Sequence, residues 1–267
     1  MSKKYEELDF TDDFFFCKIL TKNKGLCKEL LELILRIKIK KIVFMTEQKP
    51  IEITADARGI RLDVYVEDEH STIYDIEMQP TKKSNLPKRS RYYQGMIDLN
   101  LIERGADFNE LKKSFVIFIC LEDPFKEGLH VYTFENRCKE LPSLLLGDDT
   151  TKVFINASGT ADDVTGEMRE FLDYLQGKGT QNDFTRRIAN EVSKARMHEE
   201  WRVEYMSLLL RDQEMRAAGR EEGREEARYI MVMNMLKEKF AVDVICRIAK
   251  CDEAYVEEVR RELTSTM

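Results

Sequence analysis

The chain has 267 residues, which is enough for one sizeable folded domain and a smaller second region. Hydrophobic residues make up 43% of it, an ample share for a core, and the net charge of −7 provides no overall attraction to nucleic acid. The sequence contains neither an apolar N-terminal segment nor a run of roughly 18 apolar residues, so we expect a cytoplasmic protein with no membrane helix.

The cysteine and histidine residues are dispersed along the chain. None of the six cysteines forms a CxxC pair, and the three histidines are far apart in sequence. This spacing argues against a zinc site, because structural zinc sites use closely spaced pairs of these residues. We therefore expect reduced thiols, as in most cytosolic proteins.

The first predicted elements are helices. Five aliphatic residues recur at helical spacing between residues 24 and 37: Leu26, Leu30, Leu33, Ile34 and Ile37. Before them, Thr11 is placed to cap an earlier helix. Asp12 and Asp13 would lie in its first turn, where carboxylates interact favourably with the helix dipole.

A β-hairpin follows and carries the most informative residues. Residues 60–66 and 72–79 both have strand patterns, and the polar segment between them predicts a turn. With a three-residue turn at its centre, Asp63 lies directly opposite Glu77, and such neighbours point to one face with Cβ atoms roughly 5 Å apart. Gln79 shares that face because side chains alternate along a strand.

Two carboxylates this close repel each other unless they share a proton or bind a cation between them. An oxygen-rich pair suits Mg²⁺, with Mn²⁺ as a substitute, and such an ion can activate water and stabilise charge on a phosphate. The alternative is an exposed strand face with ordinary acidic residues, balanced by the nearby Arg61. Geometry alone leaves both interpretations open.

A basic segment connects the hairpin to the next helix. Residues 82–91 contain five basic residues and no acidic one, and Pro80 ends the strand before them. The helix predicted over 86–105 therefore begins with basic side chains beside the acidic pair, which suits contact with phosphate oxygens. The alternative is a solvated basic turn. The candidate phosphate or DNA contacts are Lys82, Arg89, Arg91 and Tyr92.

The rest of the chain predicts further strands and then only helices. Residues 114–121 form a nearly continuous apolar run, which is typical of a strand buried on both faces. The glycine-containing stretch at 176–180 indicates a boundary. It divides the chain into a first domain over 1–180 and a helical region over 181–267.

The helical region alternates acidic and basic residues, as solvated helices with many ion pairs do. Within it, Gly219, Gly223 and Ala227 recur every four residues and would line one helix face. That face offers a surface for a homodimer.

The order of these motifs resembles a known superfamily. Asp63 followed by Glu77-Met78-Gln79 on a hairpin, with a basic helix after it, is similar to the D…(D/E)xK core of restriction-endonuclease-like proteins. More narrowly, the chain resembles the Rpn family of recombination-promoting nucleases, also described as PD-(D/E)XK family transposases. The matching stretches are Asp12-Asp13-Phe14-Phe15-Phe16-Cys17-Lys18, Arg61-Leu62-Asp63-Val64, Asp75-Ile76-Glu77-Met78-Gln79, Arg89-Ser90-Arg91-Tyr92-Tyr93-Gln94, Phe118-Ile119-Cys120 and Asp123-Pro124-Phe125, with the Gly-Arg-Glu-Glu repeats near the C-terminus.

The resemblance implies an α/β fold with a restriction-endonuclease-like core, in which helices flank a mixed central sheet, and an all-helical C-terminal region. It implies a metal-dependent DNA endonuclease of low sequence specificity, linked to recombination or mobile elements. Asp63 and Glu77 would bind the metal and act with Gln79 in catalysis. Asp12 or Asp13 would be an accessory acid, although helix capping is the alternative for both.

Gln79 departs from the superfamily pattern, which has lysine at this position, although the Rpn-like group resembles the chain in having glutamine. Lysine can orient the attacking water and supply positive charge, whereas glutamine can do only the first. Activity would then depend on a compensating cation, for which Lys82, Arg89 and Arg91 are candidates. Two other functions stay open: a non-catalytic DNA-binding or assembly protein that keeps the fold, and a transposase that acts by strand transfer.

Overall fold

The computed structural model describes residues 3–51 and 59–265. They form two compact units, one over Lys3–Arg202 and a second that begins at Val203. The strands are β1 (Ile42–Ile51), β2 (Ile60–Asp68), β3 (Ile73–Gln79), β4 (Ser114–Cys120), β5 (Val131–Phe134) and β6 (Thr150–Asn156). The main helices are α1 (Asp13–Lys22), α2 (Lys24–Leu35), α3 (Leu86–Leu101), α4 (Gly166–Leu175), α5 (Asp183–Arg196), α6 (Glu199–Lys237), α7 (Val242–Ala249) and α8 (Glu253–Ser265).

The six strands form one mixed sheet in the first unit, in the order β1-β2-β3-β4-β6-β5. β1, β2 and β3 are antiparallel neighbours, whereas β3, β4 and β6 run parallel and β5 is antiparallel to β6. Helix α3 connects β3 to β4, because parallel neighbours require a crossover. The mixed sheet, its flanking helices and the helical C-terminal region confirm the predicted α/β fold.

The β2–β3 hairpin has the predicted register, with Val64 opposite Ile76. Its turn is tight, because the Asp68 N–H donates to the Thr72 carbonyl at 3.1 Å and Ser71 adopts a left-handed conformation with φ of 58°. The strands therefore run side by side from this turn toward the end of the sheet where the candidate acids lie.

The centre of the sheet is buried on both faces. Every residue of β3 and of β4 is buried, as the apolar run of β4 predicted. Helix α3 packs on one face, where Tyr93 and Ile97 join a core cluster with Val116, Phe118 and Phe154. This packing fixes the position of the polar residues near the start of α3.

Two helix ends differ from the prediction. The N-cap residue of α1 is Asp12 rather than Thr11. Helix α3 ends at Leu101 instead of Gly105, because Ile102 leaves the helix in an extended conformation. Gly105 lies in the turn that follows, where its φ of 86° suits a glycine.

The first compact unit extends to Arg202, beyond the boundary predicted near residue 180. Helix α5 belongs to this unit because its apolar face is buried and it packs on α1 and α4. The Tyr5 hydroxyl also donates a hydrogen bond to the Ala195 carbonyl at 2.5 Å. The glycine-containing stretch is therefore a loop inside the unit.

In the second unit, the C-terminal part of α6 packs with α7 and α8 around Val232, Ile245 and Val256. Earlier in α6, a Cβ added at Gly219 or Gly223 would meet no atom within 4 Å.

Within residues 3–51 and 59–265, no helix combines the length and the apolar character needed to cross a membrane.

Candidate active site

The ends of β2 and β3 hold two carboxylates against each other's backbone. The Asp63 N–H donates to Glu77 Oε1 at 2.9 Å, and the Met78 N–H donates to Asp63 Oδ2 at 3.1 Å. Glu77 is only 1% exposed. These reciprocal hydrogen bonds fix both side chains, so the structure brings together the two acids that the hairpin pattern placed opposite each other.

The first turn of α1 adds a third carboxylate. Donor atoms of Asp13, Cys17 and Asp63 all lie within 4.8 Å of one another, close enough to surround one ion. The Cys17 thiol donates to Asp13 Oδ1 at 3.6 Å. Asp12 is paired with Lys3 at 2.8 Å instead. Of the two candidate accessory acids, the structure therefore places Asp13 at the site.

Arg89, near the start of α3, also reaches the acids. Its guanidinium donates to Glu77 Oε2 at 2.9 Å, to Gln79 Oε1 at 3.0 Å and to the Tyr93 hydroxyl at 2.8 Å. The Gln79 amide nitrogen donates to the Met78 carbonyl at 2.8 Å. Arg89 is thus bonded to the site's own acceptors, a position that suits the predicted compensating cation, and its direct contact with phosphate stays a prediction.

Asp75 is a further acid at this site that the short motif did not indicate. It precedes Glu77 by two residues, so the alternation of β3 puts both on one face. Asp75 is fully buried, and its carboxylate oxygens accept no hydrogen bond from the part of the chain that the structure describes. Its interaction with Glu77 raises the pKa of Asp75. The alternation of side chains along β3 was the sequence signal that could have identified Asp75.

The carboxyl groups of Asp63, Asp75 and Glu77 lie close together and are largely shielded from solvent. Burial, then Glu77 and Asp13, raise the pKa of Asp63 to about 9. Burial raises the pKa of Glu77 to about 7, against the opposing effects of the Asp63 N–H and of Arg89. Burial and the neighbouring carboxylates also raise the pKa of Asp75 well above its ordinary value. A divalent cation relieves this repulsion, and carboxylate oxygens are its preferred ligands, so the residues fit such an ion.

The acids open onto a cleft of about 830 Å³ that is also lined by basic side chains. Tyr92 lines the cleft and is 39% exposed, whereas Tyr93 is largely buried. Lys82 is exposed and does not line the cleft, although Thr81 and Lys83 on either side of it do, so its contact with DNA stays a prediction. The basic lining residues are Arg61, Lys83, Lys88, Arg89 and Arg91.

The part of the sequence that forms this site matches a known protein family. The family model described as PD-(D/E)XK nuclease family transposase matches residues 10–144, just over half of the chain, and this range contains every acid and base of the site. Searches of curated proteins and of solved structures gave no match. The chain therefore belongs to the PD-(D/E)XK nuclease family transposases.

Proposed function

We propose that the protein is a metal-dependent endodeoxyribonuclease, a hydrolase that cuts phosphodiester bonds in DNA with low sequence specificity in recombination or mobile-element activity. One observation carries this proposal: Asp13, Asp63 and Glu77 line the same cleft as four basic residues that are not bonded to those acids. A buried acidic centre suits a metal ion, and a basic rim suits a phosphate backbone.

Asp63 and Glu77 would hold the ion, with Asp13 as the accessory acid. Mg²⁺ fits these oxygen donors, and Mn²⁺ would substitute for it. Such an ion supplies a Lewis acid that lowers the pKa of bound water and offsets charge on a phosphate oxygen. The protein contributes the fixed orientation of the carboxylates, because each accepts a hydrogen bond from the backbone of the other strand.

Arg89 would take over the electrostatic role of the missing lysine. Its guanidinium contacts the side chain of Gln79, so a fixed positive charge lies beside the position where the superfamily has an ammonium group. Gln79 Oε1 keeps one lone pair beyond the bond from Arg89, and this lone pair would orient the attacking water. Gln79 and Arg89 together thus divide the two tasks of one lysine.

The basic rim would position DNA. Lys83, Lys88 and Arg91 lie on or just before α3, beside the acids, and Arg61 lies on β2. Such side chains contact the phosphate backbone regardless of base identity, which supports low sequence specificity. Tyr92 offers an aromatic ring at the same surface.

We also propose a cytoplasmic homodimer that associates through α6. Val203, Met206 and Leu210 are 59%, 48% and 58% exposed, and their spacing places them along one side of the helix. Two copies would supply two active sites for a duplex. Sedimentation should show a dimer for the unmodified chain and a monomer for Leu210→Glu, with Glu226→Gln as the control on the same helix.

One observation favours the alternative of a DNA-binding or assembly protein without turnover. Both ends of the Gln79 amide are already hydrogen-bonded, to Arg89 and to the Met78 carbonyl. Plasmid cleavage with Mg²⁺, Mn²⁺, Ca²⁺ or EDTA distinguishes the functions. The nuclease proposal expects cutting with Mg²⁺ or Mn²⁺ that Asp63→Ala abolishes. Asp12→Ala is the matched control, since that acid lies outside the cleft lining.

The product of the same assay distinguishes the remaining candidate functions. Nicked or linear plasmid means hydrolysis, whereas joined molecules mean strand transfer. DNA binding without any cutting, by folded protein in every metal, would remove the nuclease proposal and leave the binding protein.

A further inference from the structure

Cys17 brings a sulfur atom to a centre that otherwise consists of oxygen donors. It lies one helical turn after Asp13 on α1, and its thiol is 3.6 Å from Asp13 Oδ1. The Sγ atom also lies within 4.8 Å of donor atoms of both Asp13 and Asp63. Cys17 is 1% exposed, so bulk water does not compete for this position.

These distances are those of potential ligands rather than of distant neighbours. An ion about 2.1 Å from two carboxylate oxygens and about 2.3 Å from a sulfur has its donor atoms roughly 3–4 Å apart. The three donor atoms lie within 4.8 Å of one another, which is close to that spacing. Asp63 is common to this group and to the pair with Glu77, so the thiol borders the same centre.

We propose that Cys17 is a direct ligand for transition-metal ions at the active centre, together with Asp13 and Asp63. This proposal rests on the proposed metal site and concerns which ions it takes. A thiolate adds little affinity for the hard Mg²⁺ ion but much for softer ions such as Co²⁺ and Zn²⁺. The chain should therefore select these ions over Mg²⁺ more strongly than a site of carboxylates alone. The thiol releases its proton to solvent as the ion binds.

Two other thiols require attention in any test. Cys246 and Cys251, in the second unit, interact with each other and could bind a soft ion by themselves. The measurements are therefore made on the full-length chain with both cysteines replaced by serine, and this variant is the parent protein of the test. Cys27 is the matched control: it is fully buried like Cys17, but burial alone raises its pKa, without a contribution from any carboxylate in the part of the chain that the structure describes.

The test combines titration and spectroscopy. Co²⁺ is added to the metal-free protein, and the sulfur-to-cobalt charge-transfer absorption is recorded for the parent, Cys17→Ser and Cys27→Ser. Calorimetry gives the affinities for Co²⁺ and Mg²⁺. X-ray absorption at the cobalt edge of the parent protein tests for a sulfur atom at about 2.3 Å from the metal, which decides the matter even if Cys17→Ser fails to fold.

We expect the charge-transfer band in the parent and in Cys27→Ser but not in Cys17→Ser. The Co²⁺ affinity of Cys17→Ser should fall at least about tenfold, while its Mg²⁺ affinity changes little. Cobalt bound without a sulfur neighbour would overturn the role of Cys17 but leave the carboxylate metal site intact. Failure of the parent to bind either ion would overturn the proposed metal site itself.

Discussion

The crowded carboxylates predict that the metal-free protein becomes less stable as the pH rises from 5 to 9. In the unfolded chain Asp63 and Glu77 ionise near pH 4, whereas in the folded protein their pKa values are about 9 and about 7. The folded state thus retains protons that the unfolded state has lost. The stability that these groups contribute is complete below pH 4 and is lost as the pH rises through 7 and then 9.

The size of the loss follows from Glu77. A rise of its pKa from 4.5 to about 7 corresponds to about 3 kcal/mol of lost unfolding free energy, and Asp63 acts in the same direction. For a unit of this size, that loss lowers Tm by about 6–12 °C. Carboxylates whose pKa is lowered, such as Asp123 and Asp163, complete their titration below this pH range and do not oppose the trend.

Melting curves in EDTA from pH 5 to 9, followed by circular dichroism, measure this effect. Asp63→Asn should flatten the decline and should melt above the parent at pH 8. The amide is neutral without a bound proton, whereas folded Asp63, with a pKa of about 9, must hold a proton at pH 8 that the unfolded chain has released. Asp12→Asn, at a solvent-exposed ion pair, should leave the decline unchanged. Saturating Mn²⁺ should abolish the decline in the parent and in Asp12→Asn, which both keep the proposed metal ligands, but should have less effect on Asp63→Asn. A metal-free Tm that rises toward pH 8, or equal slopes in parent and Asp63→Asn, would refute the reasoning.

Three further changes test other parts of the structure. Arg89→Lys keeps the charge but loses the planar guanidinium that donates to three acceptors. The rate of plasmid cleavage should therefore fall by roughly tenfold or more, which corresponds to about 1.4 kcal/mol in the activation barrier. An unchanged rate in the plasmid assay would contradict this. Arg91→Gln should weaken DNA binding and reduce the slope of log affinity against log salt by about 0.9, as read by fluorescence anisotropy, without shifting the metal affinity. Gly159→Ala would place a Cβ 2.6 Å from the His130 ring and should cost about 1–3 kcal/mol in urea unfolding, whereas Gly166→Ala, with open space around it, should cost much less.

The hairpin was predictable because its information is local. A three-residue turn and the alternation of strand side chains place Asp63 opposite Glu77 without knowledge of any other element, and the structure has this register. The same alternation places Asp75 beside Glu77, yet a motif of fixed spacing does not mark it. The apolar run of β4 similarly predicted a strand buried on both faces.

Contacts between distant elements were not predictable in this way. Asp12 and Asp13 are adjacent in sequence and chemically alike, and only the packing of α1 against β1 and β2 decides that Asp13 reaches Asp63. Cys17 follows for the same reason, since it lies one turn further along that helix. The assignment of α5 to the first unit likewise depends on tertiary packing rather than on the loop before it.

The glutamine at the lysine position shows why a motif alone is an incomplete guide to this site. Judged by spacing, Gln79 removes a positive charge from the centre and suggests a degenerate enzyme. In the fold, Arg89 comes from α3, ten residues later, and lies 3.0 Å from the Gln79 oxygen while it also pairs with Glu77. Tyr93, one helical turn further, holds the same guanidinium at 2.8 Å. The charge therefore remains at the centre but is carried by a helix. For the nuclease that we propose, catalysis would depend on the joint geometry of strand and helix, and no residue of the three-residue motif would determine it alone.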